Sequence, residues 1–418
     1  MERDLLKKKL LENASTGNGE NMLPPSLLPG ASNKMKPPRP TTASVNHPST
    51  ASSSSSEPLD SFKPIVDYSP FFNNQQDIFI EDRGSFRVYI NSTHISGQNV
   101  HQEPKETNHT HNKPSILVPS KKSDTALVFI HGAGLTSLSW ALCIHQLQQF
   151  IVRSATTQCN NVNMLRSPPT PMEMSGGANG IVDDYDYCAI DLRGHGASHS
   201  SSNDLDLSVE TLVDDIIAVL SKIYHKKNFV FIGHSLGGSL AVRCAAKLDK
   251  MVDEHKCKMF AKGVIVLDMV EGSAIQSLPN TKKFLELRPQ KFKNVESAIK
   301  WSIQHGVVNN LSSAVISIPS QLQFVEEGQY WEWRTQLVGS EKYWTEWFTD
   351  MSKLFLSVKA VKLLMITSTD ILDKELTIAQ MQGKFQMKVL NRTGHCIQED
   401  DPEHTAEVIF SFLQRFRL

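Results

Sequence analysis

The run Gly233-His234-Ser235-Leu236-Gly237-Gly238 constrains this chain more than any other feature. Four apolar residues, Phe229 to Ile232, precede it, and a helix-forming segment, Ser239 to Leu248, follows it. A serine between small residues at a strand-to-helix junction marks a tight turn that pushes its hydroxyl out over a sheet. Residues 233 and 237 must be small because the turn brings strand and helix backbones close together. The helix N-terminus that follows favours negative charge developing nearby. The reading is a chain of alternating strands and helices with a nucleophilic Ser235.

The surrounding pattern agrees. Short apolar runs at Ala126–Ile130, Tyr185–Ile190, Phe229–Ile232, Gly263–Leu267, Val361–Ile366 and Gln386–Leu390 read as strands. Helical spacing appears between them at 138–152, 212–223, 239–248 and 405–416. Continuous apolar strands separated by helices predict a mostly parallel central sheet covered on both faces. Asp77–Ile80 and Phe86–Ile90, split by Asp82-Arg83-Gly84-Ser85, predict a hairpin ahead of it. Residues 1–64 are rich in Ser, Pro, Asn and Lys and are expected to be disordered. Two polar insertions are expected at about 93–124 and 153–184, with the folded domain spanning 65–418. His94, His101, His109 and His111 fall in the first insertion but lack the Cys or carboxylate company of a metal site.

Composition excludes several functions. With 43 Lys+Arg against 44 Asp+Glu the net charge is -1, so a nucleic-acid coat is not expected. No run approaches about 18 apolar residues, so no membrane span is expected, and the amino-terminal lysines are not followed by a secretory h-region. The six cysteines show neither zinc nor redox spacing. The expectation is a cytoplasmic or nuclear protein with reduced thiols.

His131-Gly132-Ala133-Gly134 ends the strand Ala126–Ile130. A glycine-rich loop here supplies one backbone N–H of an oxyanion hole, with Ala133 the candidate and Gly134 the alternative. The residue after the nucleophile, Leu236, supplies the other. His131, preceding the nucleophile in the chain, is expected to be structural. His395 follows the last strand, where the base of a serine hydrolase belongs, whereas His195 lies in a rim loop and His404 begins the last helix. The acid is either Asp268, at the end of Gly263–Leu267, or Asp370, after Val361–Ile366; both sit at carboxyl ends of strands. Generic spacing favours Asp370.

Further blocks carry a resemblance. These are Leu267-Asp268-Met269-Val270-Glu271-Gly272-Ser273-Ala274, Arg288-Pro289-Gln290-Lys291-Phe292, Glu341-Lys342-Tyr343-Trp344, the run 372–378 (LDKELTI) and the run 381–387 (MQGKFQM). With the elbow they resemble the protein phosphatase methylesterases, a family of α/β-hydrolase fold, from about Tyr68 to the end. The resemblance implies a serine carboxylesterase that removes the methyl ester from the C-terminal leucine of type-2A protein phosphatase catalytic subunits, with no cofactor. It also moves the acid to Asp268, because the family's acid lies in a segment of that type. Members commonly carry His-Gly-Gly-Gly and Gly-His-Ser-Met-Gly-Gly; Ala133 and Leu236 depart from these without removing a backbone N–H. Competing readings are a small-molecule carboxylesterase of the same fold and a phosphatase-binding scaffold without catalysis.

The segment 273–350 falls between two sheet strands and is expected to form a helical cap. It holds five of the six tryptophans, Trp301, Trp331, Trp333, Trp344 and Trp347. They suit either the cap's own core or a groove for a peptide tail.

Overall fold

A computed structural model describes residues 62–91, 121–164, 183–201, 203–224 and 227–418. The expected tail up to residue 61, most of both polar insertions, and His94, His101, His109 and His111 lie outside these residues. Phe62, counted with the tail from composition, is buried in the core, and the Ile65 N–H donates to the Val315 carbonyl at 2.9 Å.

The hairpin forms from β1 (Asn74–Ile80) and β2 (Gly84–Asn91). The strands β3 (Lys121–Ile130), β4 (Asp183–Ile190), β5 (His199–Ser200), β6 (Asn228–His234) and β7 (Phe260–Leu267) follow. Between β7 and the strand that succeeds it in the sheet lies the cap. The main sheet is completed by β11 (Val361–Ile366) and β12 (Gln386–Val389). Its order is β1-β2-β4-β3-β6-β7-β11-β12, with β5 paired to β2. The six strands from β4 to β12 run parallel, and β1 and β2 are antiparallel.

Side-chain alternation distributes the core over two faces. Val128 and Ile130 of β3 face the helices Val209–Ile223 and Leu236–Asp253. Leu127 and Phe129 face the helices Ala141–Met164 and Pro402–Phe416. Apolar cover on both faces is why the central strands read as unbroken apolar runs. The helix expected to stop at Val152 continues to Met164, and β3 begins at Lys121 rather than Ala126. Both extensions are polar, so hydrophobic pattern does not reveal them.

The cap differs from the helical block expected. Helices Glu271–Leu287, Val295–Gln304 and Leu311–Ser320 are joined by a three-stranded antiparallel sheet. It orders β8 (Lys291–Phe292), β10 (Tyr330–Trp333) and β9 (Leu322–Val325) as β8-β10-β9. The aromatic run Tyr330-Trp331-Glu332-Trp333 has strong strand preference, which local helical expectation overlooked. The short helix Trp344–Phe348 anchors the cap to the body. Ser239, in the nucleophile helix, donates to the Trp347 carbonyl, and Arg243 Nη2 donates to the Glu346 and Thr349 carbonyls at 3.0 and 3.1 Å.

Candidate active site

Ser235 sits between β6 and the helix Leu236–Asp253 with φ 53° and ψ −118°. A non-glycine residue there stores about 1–3 kcal/mol of strain. Main-chain bonds hold it: the Ser235 N–H donates to the Leu267 carbonyl at 2.9 Å, and the Gly238 N–H donates to the Ser235 carbonyl at 2.9 Å. A Cβ at Gly237 would lie 2.1 Å from the Ile130 carbonyl oxygen, and one at Gly233 would lie 2.0 Å from the Gly237 carbonyl oxygen. Both glycines are therefore required by close backbone approach. Ser235 is half-buried while His234 and Leu236 on either side are buried.

Asp268 occupies the first position beyond β7, the strand beside β6. Its N–H donates to the Met365 carbonyl at 2.8 Å, and its φ of 46° is a left-handed conformation that Asp and Asn accept more readily than most residues. Its carboxylate is almost fully enclosed. Oδ1 accepts from the Thr367 N–H at 3.2 Å and Thr367 Oγ1 at 3.1 Å, and Oδ2 lies 2.8 Å from His395 Nδ1. A carboxylate accepts, so the Nδ1–H donates and Nε2 keeps its lone pair.

Asp370 is placed elsewhere. It sits in the 3-10 turn Thr369–Ile371, exposed, with its N–H on Ser368 Oγ at 3.2 Å. The structure brings Asp268, and not Asp370, to His395.

The loop carrying His395 is secured from two sides. His234 Nε2–H donates to the His395 carbonyl at 2.9 Å, and the Gly394 N–H donates to Asp400 Oδ2 at 2.6 Å. The elbow histidine thus clasps the loop of the other imidazole, a contact sequence reading missed. Burial, then the nearby His395, holds His234 well below the usual imidazole range, so it is neutral.

Two further histidines shape the glycine-rich loop after β3. His131 donates through Nδ1–H to the Gly132 carbonyl at 2.8 Å, and its Nε2 accepts from the Leu192 N–H at 2.9 Å. His195 donates through Nδ1–H to the Arg193 carbonyl at 2.8 Å, and its Nε2 accepts from the Gly134 N–H at 3.0 Å. The backbone N–H partners fix both tautomers as neutral. Burial pushes His131 down to about 4 and His195 down to about 3. The His195 contact separates the two oxyanion candidates: the Gly134 N–H is engaged. Among the described residues, the N–H groups of Ala133 and Leu236 carry no internal hydrogen bond. Leu236 is the first residue of its helix, where such orphan donors are expected.

The loop after β4 is tied down by a buried ion pair. Arg193 Nε and Nη2 donate to Asp215 Oδ2 and Oδ1 at 2.8 and 2.9 Å, with Arg83 Nη1 on Oδ1 at 3.1 Å. Behind the His395 loop, Glu399 is buried. Ser317 Oγ donates to one carboxyl oxygen and the other has no partner, so burial pushes its carboxyl up to about 8.

Ser235, Asp268, His395 and Ala133 border one cavity of about 680 Å³. Its far walls come from the cap and include Trp301, Trp333, Trp344 and Trp347. Three of these four are buried, at 3–4% exposure, so the same rings serve as cap core and cavity wall. Trp331 faces Phe324 on the small sheet instead, with ring centroids 5.3 Å apart.

Comparison with known proteins agrees with this architecture. Residues 127–408 match the model of an alpha/beta hydrolase family. The chain is 36% identical over 291 residues to the probable protein phosphatase methylesterase 1 of Caenorhabditis elegans, covering 69% of each chain. It is 34% identical to protein phosphatase methylesterase 1 of Aspergillus fumigatus, covering 72% of this chain and 66% of that one. It is 30% identical to protein phosphatase methylesterase 1 of Homo sapiens, covering 85% and 86%. Among solved structures, E-2-(acetamidomethylene)succinate hydrolase superposes with a TM-score of 0.54 at 14% identity, covering 82% of this chain and 99% of that one. An esterase of Mycobacterium tuberculosis superposes with a TM-score of 0.52 at 15% identity, covering 82% and 92%. These two likenesses concern the fold alone.

Proposed function

Because this chain belongs to the protein phosphatase methylesterase family of α/β hydrolases, we propose that Ser235, His395 and Asp268 hydrolyse the methyl ester of a C-terminal leucine on a type-2A protein phosphatase catalytic subunit. The observation that carries the catalytic part is the His395 Nδ1–Asp268 Oδ2 hydrogen bond, on a cavity that Ser235 also borders. It leaves Nε2 as the basic nitrogen. In this reading Nε2 takes the Ser235 proton as Oγ attacks the ester carbonyl, and Asp268 stabilises the imidazolium that forms. The N–H groups of Ala133 and Leu236 accommodate the oxyanion. Methanol departs with the proton from His395, leaving an acyl-enzyme. Water, deprotonated by His395, then releases the free carboxylate and restores Ser235. No step calls on a cofactor.

The test is demethylation of the methylated phosphatase subunit by wild type and Ser235→Ala, followed as methanol release. Wild type is expected to demethylate and the variant to fall by several orders of magnitude. A serine-directed fluorophosphonate probe should label wild type and not the variant. Equal rates in the two proteins would remove Ser235 from the reaction. Cleavage of short acyl esters with the phosphatase ester left intact would favour a small-molecule carboxylesterase.

A further inference from the structure

The cavity is elongated, and one helix measures it. Ala274, Ser277, Leu278, Thr281, Leu285 and Arg288 border it, at spacings that place them along a single face of Glu271–Leu287 and its C-cap. The helix begins three residues after Asp268. From Ala274 to Arg288 the helical rise is about 21 Å, the reach of about six residues of extended peptide.

Arg288 stands at the far end of this wall. Its guanidinium lies over the Trp333 ring, 4.6 Å from the centroid, and the Trp333 indole N–H donates to the Pro289 carbonyl at 2.8 Å. The ring therefore serves as a fixed platform. A ring face attracts the cation without offering its N–H groups a carboxylate or carbonyl acceptor. The Arg288 Nε is buried without a hydrogen-bond partner. No carboxylate among the described residues forms an ion pair with Arg288. Among the described residues one carboxylate borders the cavity, that of Asp268, and it is already committed to His395 and Thr367. Uncompensated burial pushes Arg288 down to about 10, which still leaves it charged at neutral pH. The side chain is half-buried, and a partly desolvated cation without a counter-charge is stabilised when an anion meets it.

We propose that Arg288 is a specificity-determining residue that pairs with an acidic group carried by the substrate polypeptide several residues upstream of the scissile ester. This rests on the reading that the site takes the C-terminal ester of a polypeptide, and it specifies which polypeptides fit. A carboxylate on the substrate, meeting Arg288 from the cavity it borders, supplies the missing counter-charge.

The experiment compares kcat/KM on C-terminal methyl esters of seven- to eight-residue peptides. One series carries a single Asp at successive upstream positions, and the other carries Asn at the same places. Wild type and Arg288→Met are assayed on both, with p-nitrophenyl acetate as a separate substrate. Wild type is expected to favour Asp over Asn about 10- to 100-fold at one or two positions, the range of a charge-assisted hydrogen bond. In Arg288→Met that ratio should collapse to near one, mainly through KM. The ratio is read within each protein, so a loss of folded enzyme does not imitate the result. Equal rates on Asp and Asn peptides at every position in wild type would overturn the assignment, as would an unchanged preference in the variant. If wild type turns over p-nitrophenyl acetate but no peptide ester, the polypeptide reading itself fails and takes this inference with it.

Discussion

Replacing Asp268 by asparagine exchanges one carboxylate oxygen for an amide nitrogen, and the surroundings dictate which one. Oδ1 faces the Thr367 backbone N–H, which can only donate. The amide oxygen must therefore stay on that side, and the NH₂ group turns toward His395 Nδ1, 2.8 Å from the present Oδ2. A donor at that place demands an unprotonated Nδ1, so the proton moves to Nε2 and His395 can no longer take one from Ser235. The wrong tautomer is expected to lower kcat by about 10⁴-fold, roughly 5 kcal/mol of barrier. Asn accepts the left-handed backbone of this position, so the fold should survive. The assay is turnover of p-nitrophenyl acetate and of a peptide methyl ester, with fluorophosphonate labelling rates and a thermal melt as controls. Asp370→Asn, at an exposed turn, should stay within about threefold. A fall of less than tenfold in Asp268→Asn, with the melt unchanged, would refute the tautomer argument; a comparable fall in Asp370→Asn would refute the choice of acid.

Gly237→Ala puts a methyl group 2.1 Å from the Ile130 carbonyl oxygen and 2.6 Å from that of His131. Neither backbone atom can move freely, so a loss of about 3 kcal/mol or more and slowed probe labelling are expected; a melt within 2 °C of wild type would contradict the crowding. Arg193→Met leaves Asp215 with Arg83 alone, and breaking a buried pair should lower stability by about 3 kcal/mol in denaturant titration. Glu399 has a folded pKa raised above its unfolded value, so its contribution is present below about 4.5 and is lost as pH rises through about 8. Glu399→Gln removes that dependence, and its stability relative to wild type should rise between pH 5 and pH 8, on the order of 3 kcal/mol; a constant difference across that range would place the ionisation elsewhere.

The elbow and the central strands were legible because their signals are local. Unbroken apolar runs mark strands buried on both faces, and Gly233 is demanded by its contact with the Gly237 carbonyl inside the same turn. The three short strands of the cap were not legible. Leu322–Val325 and Tyr330–Trp333 have four residues each, and their stability comes from pairing rather than from pattern. The choice of acid was hidden for another reason. Asp268 and Asp370 both follow sheet strands, and nothing local says that one turns inward and the other outward. The resemblance, not the spacing, pointed to Asp268. His195 read as rim, yet its acceptor nitrogen occupies the Gly134 N–H and so leaves Ala133 as the oxyanion candidate. That contact joins positions 61 residues apart, beyond any periodic pattern.

The main-chain bonds at the strand ends carry a lesson about mutational drift. Ser235 and Asp268 each hang from an N–H bonded to the carbonyl of the neighbouring strand. Those atoms belong to every residue type except proline, so strand side chains can change without displacing either group. His395 has no such suspension. Main-chain bonds hold the ends of its loop, at Leu390 to the Ile366 carbonyl and at Ile397 to the His395 carbonyl, and the imidazole itself is placed by the side chains of His234, Asp268 and Asp400. Sequence change is therefore cheap beneath the nucleophile and the acid and expensive around the base, and an insertion or deletion between Leu390 and Ile397 should disable the enzyme sooner than wholesale repacking of the sheet.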